Sequence, residues 1–170
     1  LRHICNKVLL PTYDVFDEAR YFKSGKEPCV FPTPVGKKLV KIGLQICEDM
    51  WDKDYDVKVS RSQMQLGADL LINISASPYQ KDRLKTRKEI IKEKVRETKL
   101  PFFYCNMVGA QDELIFDGQS VAYSSEGNLI GLGKSFQEDI LIIDSDSKVS
   151  LTNKIMKNEE SIYRALCLGV

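Results

Sequence analysis

Leu39-Val40-Lys41-Ile42-Gly43-Leu44-Gln45-Ile46-Cys47-Glu48-Asp49-Met50-Trp51 opens with alternating polar and apolar residues, becomes almost continuously apolar, and then breaks into carboxylates. The first nine residues predict a strand covered on at least one face, and so a central strand of a sheet. Acidic residues directly after it suit a turn into a helix N-terminus, where backbone N–H groups favour negative charge. A helix is expected over residues 57–66, ended by Gly67-Ala68-Asp69, and Leu70-Leu71-Ile72-Asn73-Ile74-Ser75 predicts a second apolar strand. Further along, residues 83–99 are highly charged, yet Leu84, Ile91 and Val95 share one face at spacings of seven and four, as an amphipathic helix requires. Leu100-Pro101 ends that helix, and residues 102–108 predict another strand. Two successive strand–helix–strand units are the order of a parallel α/β sheet.

The character then changes. Phe116-Asp117-Gly118-Gln119, Ser124-Ser125-Glu126-Gly127-Asn128 and Gly131-Leu132-Gly133 separate short apolar segments, so antiparallel hairpins are expected up to Asp139-Ile140-Leu141-Ile142-Ile143-Asp144. Residues 145–158 are polar and irregular and read as a linker. Glu159-Glu160-Ser161-Ile162-Tyr163-Arg164-Ala165-Leu166 reads as the opening of a helix, and with Leu1 rather than Met at the start, both ends are expected to be cut. A chain of 170 residues, 43% hydrophobic and 29% charged, has room for one globular domain with a sizeable core. Its formal net charge of +1 makes no electrostatic case for nucleic acid or an anionic membrane, and no apolar stretch is long enough to span a bilayer. The five cysteines are an odd set without a CxxC pair and no signal peptide precedes them, so free thiols in a cytoplasmic protein are expected.

A cysteine in a mostly buried strand is usually a small inert hydrophobe. Cys47 differs from Cys5, Cys29, Cys105 and Cys167 in its position, at the end of a strand where a following turn can present it at the carboxyl edge of a sheet. There, backbone N–H groups can stabilise a thiolate and an oxyanion. A thiol nucleophile needs a base or a cation beside it. His3 is the one histidine, so a Cys-His arrangement would rest on it alone; carboxylates and lysines must be considered. Glu48 adjoins Cys47, but neighbours on a turn diverge, which favours a substrate-binding or supporting role over that of proton acceptor. Lys7 lies among apolar residues in Asn6-Lys7-Val8-Leu9-Leu10-Pro11, either snorkelling to the surface or meeting an anion. Tyr13, Phe16, Tyr21 and Phe22 are either core or the wall of a small-substrate pocket.

These residues resemble the nitrilase superfamily of carbon–nitrogen hydrolases, and more closely the amidotransferase domains of glutamine-dependent NAD synthetases. The resemblance rests on four segments together: Lys7-Val8-Leu9-Leu10-Pro11-Thr12-Tyr13 with the residues up to Phe22, Gly43-Leu44-Gln45-Ile46-Cys47-Glu48-Asp49-Met50-Trp51, Asn73-Ile74-Ser75-Ala76-Ser77-Pro78-Tyr79, and Asn106-Met107-Val108-Gly109-Ala110-Gln111 with the loop to Gly118. It implies an α-β-β-α sandwich, incomplete here at the N-terminus, and a Glu-Lys-Cys triad with Lys7 and Cys47 as two members and the general-base glutamate upstream of Leu1. It also implies Glu18 as an accessory glutamate beside the lysine, and glutamine binding by Tyr13, Glu48, Ser77 and a basic residue, Arg83 in preference to Lys81. The domain organisation that follows is a partial glutaminase domain over 1–145, a linker over 146–158 and the start of a synthetase domain over 159–170. Glutamine is the implied substrate. No metal or cofactor is implied for this domain, whereas ATP, Mg²⁺ and deamido-NAD would serve the synthetase part, and assembly as a homo-oligomer is expected. The chain by itself is expected to be inactive. Two other readings stay open: a free-standing amidase or nitrilase, and a non-catalytic assembly module.

Overall fold

The computed structural model describes residues 3–144, 150–153 and 155–170. Among them, strands β1 (Cys29–Val35), β2 (Lys38–Ile46), β3 (Leu70–Ser75), β4 (Phe102–Asn106), β5 (Val108–Gln111), β6 (Leu114–Asp117), β7 (Val121–Tyr123), β8 (Leu129–Leu132) and β9 (Leu151–Thr152) alternate with helices α1 (Val59–Gln65), α2 (Arg83–Thr98) and α3 (Asn158–Leu168). One sheet has the order β1-β2-β3-β4-β7-β8-β9, and β5-β6 form a separate hairpin. The expected parallel core is present: β2 pairs parallel with β3 from Ile42↔Leu70 to Ile46↔Ile74, and β3 with β4 from Leu71↔Phe102 to Ser75↔Asn106. Helices α1 and α2 are the crossovers that such parallel pairs require.

Both helices lie on one face of this sheet. Leu71, Phe102 and Tyr104 point into a buried cluster with Met50, Ile91, Val95 and Tyr123. The alternate residues point the other way, and there Ile74 is 45% exposed. The described residues thus supply one sheet and one helical layer of the four-layer sandwich that the sequence implies. Close approach of α1 to the sheet explains Gly43: a Cβ there would come within 2.7 Å of the Leu71 side chain and 3.1 Å of the Gln63 carboxamide. That carboxamide donates to the carbonyls of Leu44 and Cys29 at 2.8 and 3.0 Å, so the helix is hydrogen-bonded to the strands beneath it.

Several expectations need correction. Strand β1 was not anticipated, because Pro32 and Pro34 remove backbone donors and read as breakers; the strand lies at the sheet edge, where proline is tolerated. The strand expected over 102–108 ends at Asn106, and the chain enters the β5-β6 hairpin instead. Residues 139–144 form no strand, with Ile140 and Ile142 exposed to solvent. In the expected linker, β9 pairs parallel with β8; residues 145–149 and 154 lie outside the described residues. Cys5 and Cys29 are not free thiols but a disulfide with Cα atoms 5.4 Å apart, leaving Cys47, Cys105 and Cys167 free. A separation of 24 residues carries no sign of that pairing. It arises because the N-terminal segment runs beside β1, as the stacking of His3 on Phe31 at 4.8 Å also records. No helix among the described residues is long and apolar enough to cross a membrane.

Candidate active site

Cys47 is the first residue beyond β2, and its φ of 45° is in the left-handed region. For a residue with a Cβ this conformation is strained, on the order of 1–3 kcal/mol, and it persists only where its surroundings enforce it. Residues Cys47–Met50 form a 3-10 turn, closed by Ile46 N–H donating to Asp49 Oδ2 at 2.9 Å and Trp51 N–H to the Glu48 carbonyl at 2.8 Å. The Asn73 carboxamide of β3 donates to the Cys47 carbonyl at 3.2 Å. The α-helix expected over residues 57–66 forms as α1, well beyond Cys47, and the N–H group that favours the thiolate is that of Ala76, at the end of neighbouring β3. Burial pushes the Cys47 thiol above its ordinary pKa; the Lys7 ammonium, the Ser75 hydroxyl and the Ala76 N–H favour the thiolate, while Glu48 opposes it. Burial thus favours the neutral thiol, and a proton acceptor is needed to make it a nucleophile.

Lys7 does not snorkel. Its Nζ meets both carboxylate oxygens of Glu18 at 2.6 and 2.5 Å, with the side chains 14% and 24% exposed. Its carbonyl accepts from Gly25 N–H at 2.7 Å. Glu48 accepts from the Tyr13 hydroxyl at 3.0 and 2.9 Å and from the Tyr55 hydroxyl at 3.1 Å. Burial raises the Glu48 carboxyl, and the two phenols counter it. Burial and the carboxylate together push Tyr13 well above its usual range and Tyr55 up to about 12, so both remain protonated donors. With both phenols on its carboxylate, Glu48 faces a cavity of about 470 Å³ lined also by Thr12, Trp51 and Lys94. Neither Cys47 nor Lys7 lines this cavity, which Glu48 and Tyr13 border.

Ser77 follows β3 by two residues and is buried. Its N–H donates to Asn106 Oδ1 at 3.0 Å, and its carbonyl and hydroxyl accept from Arg87 Nη2 at 2.8 and 3.2 Å. Arg87 Nη1 grips Asp117 Oδ1 and Oδ2 at 2.9 and 3.0 Å, and the pair is 0% and 3% exposed. Arg83, one helical turn earlier, instead places its guanidinium 5.4 Å from the centre of the Trp51 ring and donates to Gln80. The structure thus brings Cys47, Lys7, Glu18, Glu48 and Tyr13 into one linked cluster, puts Ser77 at the adjoining strand end, and keeps Arg83 beside the Trp51 end of the turn. Among the described residues, no group of three or more His, Cys, Asp or Glu side chains could hold a metal ion.

A family model described as carbon-nitrogen hydrolase matches residues 2–154. The chain belongs to the carbon–nitrogen hydrolase family. Among its relatives, the glutamine-dependent NAD(+) synthetase of Synechocystis sp. is 40% identical over 97% of this chain and 31% of its own length, and that of Thermotoga maritima is 42% identical over 84% and 24%. This carbon–nitrogen hydrolase chain therefore spans about a third or less of the relatives it matches. The structure of glutamine-dependent NAD+ synthetase from Acinetobacter baumannii in complex with ADP superposes with a TM-score of 0.83 at 35% identity, covering 96% of this chain and 30% of that one. An amidase of the nitrilase superfamily from Nesterenkonia AN1 superposes at 0.60 with 23% identity over 74% of this chain and 44% of its own, which speaks for the fold alone.

Four residues bonded to the candidate site residues were not anticipated: Tyr55 on Glu48, Arg87 and Asn106 on Ser77, and Asp117 on Arg87. Arg87 had a visible signal. It lies three residues after Leu84 and four before Ile91, on the apolar stripe of α2 rather than on its solvated face. A cation there must be buried against an anion. Lys94 gives the same signal three residues after Ile91, and it too is buried, on Asp52.

Proposed function

We propose that this carbon–nitrogen hydrolase chain is the glutamine-hydrolysing, ammonia-donating part of a glutamine-dependent NAD synthetase. The observation that carries the reading is the left-handed Cys47 at the carboxyl end of β2 with the charge of Lys7 acting on its thiol. The relatives, named as glutamine-dependent NAD(+) synthetases, support the choice of glutamine over another small amide. Cys47 attacks the side-chain carboxamide carbon of glutamine, forming a C–S bond as the C–N bond breaks. Ammonia leaves with the proton taken from the thiol, and water then hydrolyses the γ-glutamyl thioester to glutamate. The Lys7 ammonium, with nearby N–H groups, stabilises the tetrahedral oxyanion. Glu18 holds the Lys7 side chain in place through both of its carboxylate oxygens. The proton passes through a carboxylate that the resemblance assigns to sequence upstream of Leu1, because Glu18 is engaged by Lys7 and Glu48 by two phenols.

Glu48 with Tyr13 suits the α-ammonium of the substrate, and Ser77 and Arg83 its remaining polar groups. In the whole protein the ammonia would pass to a synthetase part, within a homo-oligomer, that uses ATP with Mg²⁺ and deamido-NAD; residues 159–170 would begin that part, after a linker. The compartment implied is the cytoplasm, where the Cys5–Cys29 disulfide is the least expected feature of the chain. The test is Cys47→Ala in the full-length protein. Loss of glutamine-dependent NAD formation with retained use of free ammonia is expected; retained glutamine use would refute the reading.

A further inference from the structure

The proposed chemistry needs Lys7 and Cys47, forty residues apart in sequence, at one fixed separation. Lys7 reaches the site on a stem of four methylenes, so contacts at its Nζ cannot by themselves set where its backbone lies. One side chain contacts both backbones. Asp49 Oδ2 accepts from Ile46 N–H at 2.9 Å, directly before Cys47, and Asp49 Oδ1 accepts from Val8 N–H at 3.0 Å and Leu9 N–H at 2.9 Å, directly after Lys7. The residue is 2% exposed.

Closing the Cys47 turn would need only the bond to Ile46. The two bonds to Val8 and Leu9 do nothing for that turn; they moor the lysine-bearing segment to it. The chemistry of the residue is specific as well. Three N–H donors converge on two oxygens, and a carboxylate is the one side chain of this length that accepts at both. An asparagine would set an NH₂ group against at least one of those donors. Burial raises the Asp49 carboxyl, and the three N–H groups oppose that rise, so this is a group whose burial is unfavourable unless all its bonds are made.

We infer that Asp49 is a positioning residue that sets the separation of the Lys7 ammonium from the Cys47 sulfur by tying their two backbone segments together. The inference deepens the glutamine-hydrolysing reading and rests on it for the reaction. The charged and titratable groups that act on the thiol include Lys7 and Glu48, with Tyr13 and Tyr104 also interacting with it and Glu18 bonded to Lys7. In the full-length protein, Asp49→Asn is expected to lower kcat for glutamine hydrolysis about a hundredfold with KM changed less than about threefold, as a displacement of about 1 Å does. The pH profile of Cys47 alkylation by iodoacetamide should move to higher pH, because the ammonium retreats from the sulfur. On a Lys7→Ala background the same substitution should add little, since the group being positioned is gone. Additive losses, or an unmoved alkylation profile with kcat kept within threefold, would overturn the inference. Should Asp49→Asn unfold, Asp49→Glu is judged by the same readings, because it keeps the charge and both acceptor oxygens on a longer stem. Alkylation needs no glutamine, so it judges Asp49 even if the Cys47→Ala test refutes the choice of substrate.

Discussion

Two bidentate ion pairs stand at the ends of the parallel strands, and they differ in almost everything but their chemistry. Lys7–Glu18 is 14% and 24% exposed and lies beside the thiol, whereas Arg87–Asp117 is 0% and 3% exposed and lies behind Ser77. Water reaches the first pair, so losing one partner leaves the other hydrated and the pair contributes little to stability. The second pair is sealed. Its guanidinium also donates to the carbonyls of Ser77 and Pro78, and Asp117 also accepts from Asn106. Removing one partner there strands a buried charge. The contrast separates a partly hydrated pair beside the thiol from a sealed pair that fixes the frame.

The largest expected effect breaks the sealed pair. Arg87→Met should lower unfolding stability by about 3–5 kcal/mol, measured by denaturant titration of the full-length protein; a loss under about 1 kcal/mol would show that Asp117 is not stranded. Lys7→Ala should do the reverse, reducing glutamine hydrolysis by roughly 10²–10³ while changing stability by less than about 1 kcal/mol. Equal effects on both quantities in both variants would erase the distinction.

A pH measurement sharpens the same contrast. Because burial favours the neutral Cys47 thiol, alkylation should titrate above the ordinary cysteine value of about 8.5. Lys7→Ala removes a charge that favours the thiolate and should move the midpoint higher still. Arg87→Met should move it far less in the folded fraction, since burial, Lys7 and Ser75 are the largest influences on the thiol. The smallest effect concerns Tyr55, one of two donors to Glu48. Tyr55→Phe should weaken glutamine binding by about 1 kcal/mol, seen as a severalfold rise in KM with kcat nearly unchanged. A fall in kcat instead would place Tyr55 closer to the reaction than its bond to Glu48 implies.

Much of this architecture was legible beforehand, and for identifiable reasons. The apolar runs at residues 39–46 and 70–75 and the stripe Leu84, Ile91, Val95 are periodic signals carried by neighbouring residues, and β2, β3 and α2 formed where they indicated. Cys47 stood out because a thiol directly precedes carboxylates at a strand end, and Lys7 because a lysine sits among apolar residues. Strand β1 was hidden by its prolines. Arg87 was passed over because one charged residue in a highly charged helix looks solvated until its face is checked, and Asp117 because its partner is thirty residues away.

Sequence alone determined the alternation of strands and helices and the family resemblance, and it singled out Cys47 and Lys7 as candidate nucleophile and cation, because each of these signals is written in residues adjacent to one another. Tertiary structure decided the partners. That Asp49 holds Val8, that Arg87 rather than Arg83 contacts Ser77, that two tyrosines share Glu48, and that Cys5 meets Cys29 all depend on where backbone segments cross. A buried polar group accepts whichever partner satisfies it, and only the packed sheet brings that partner within reach.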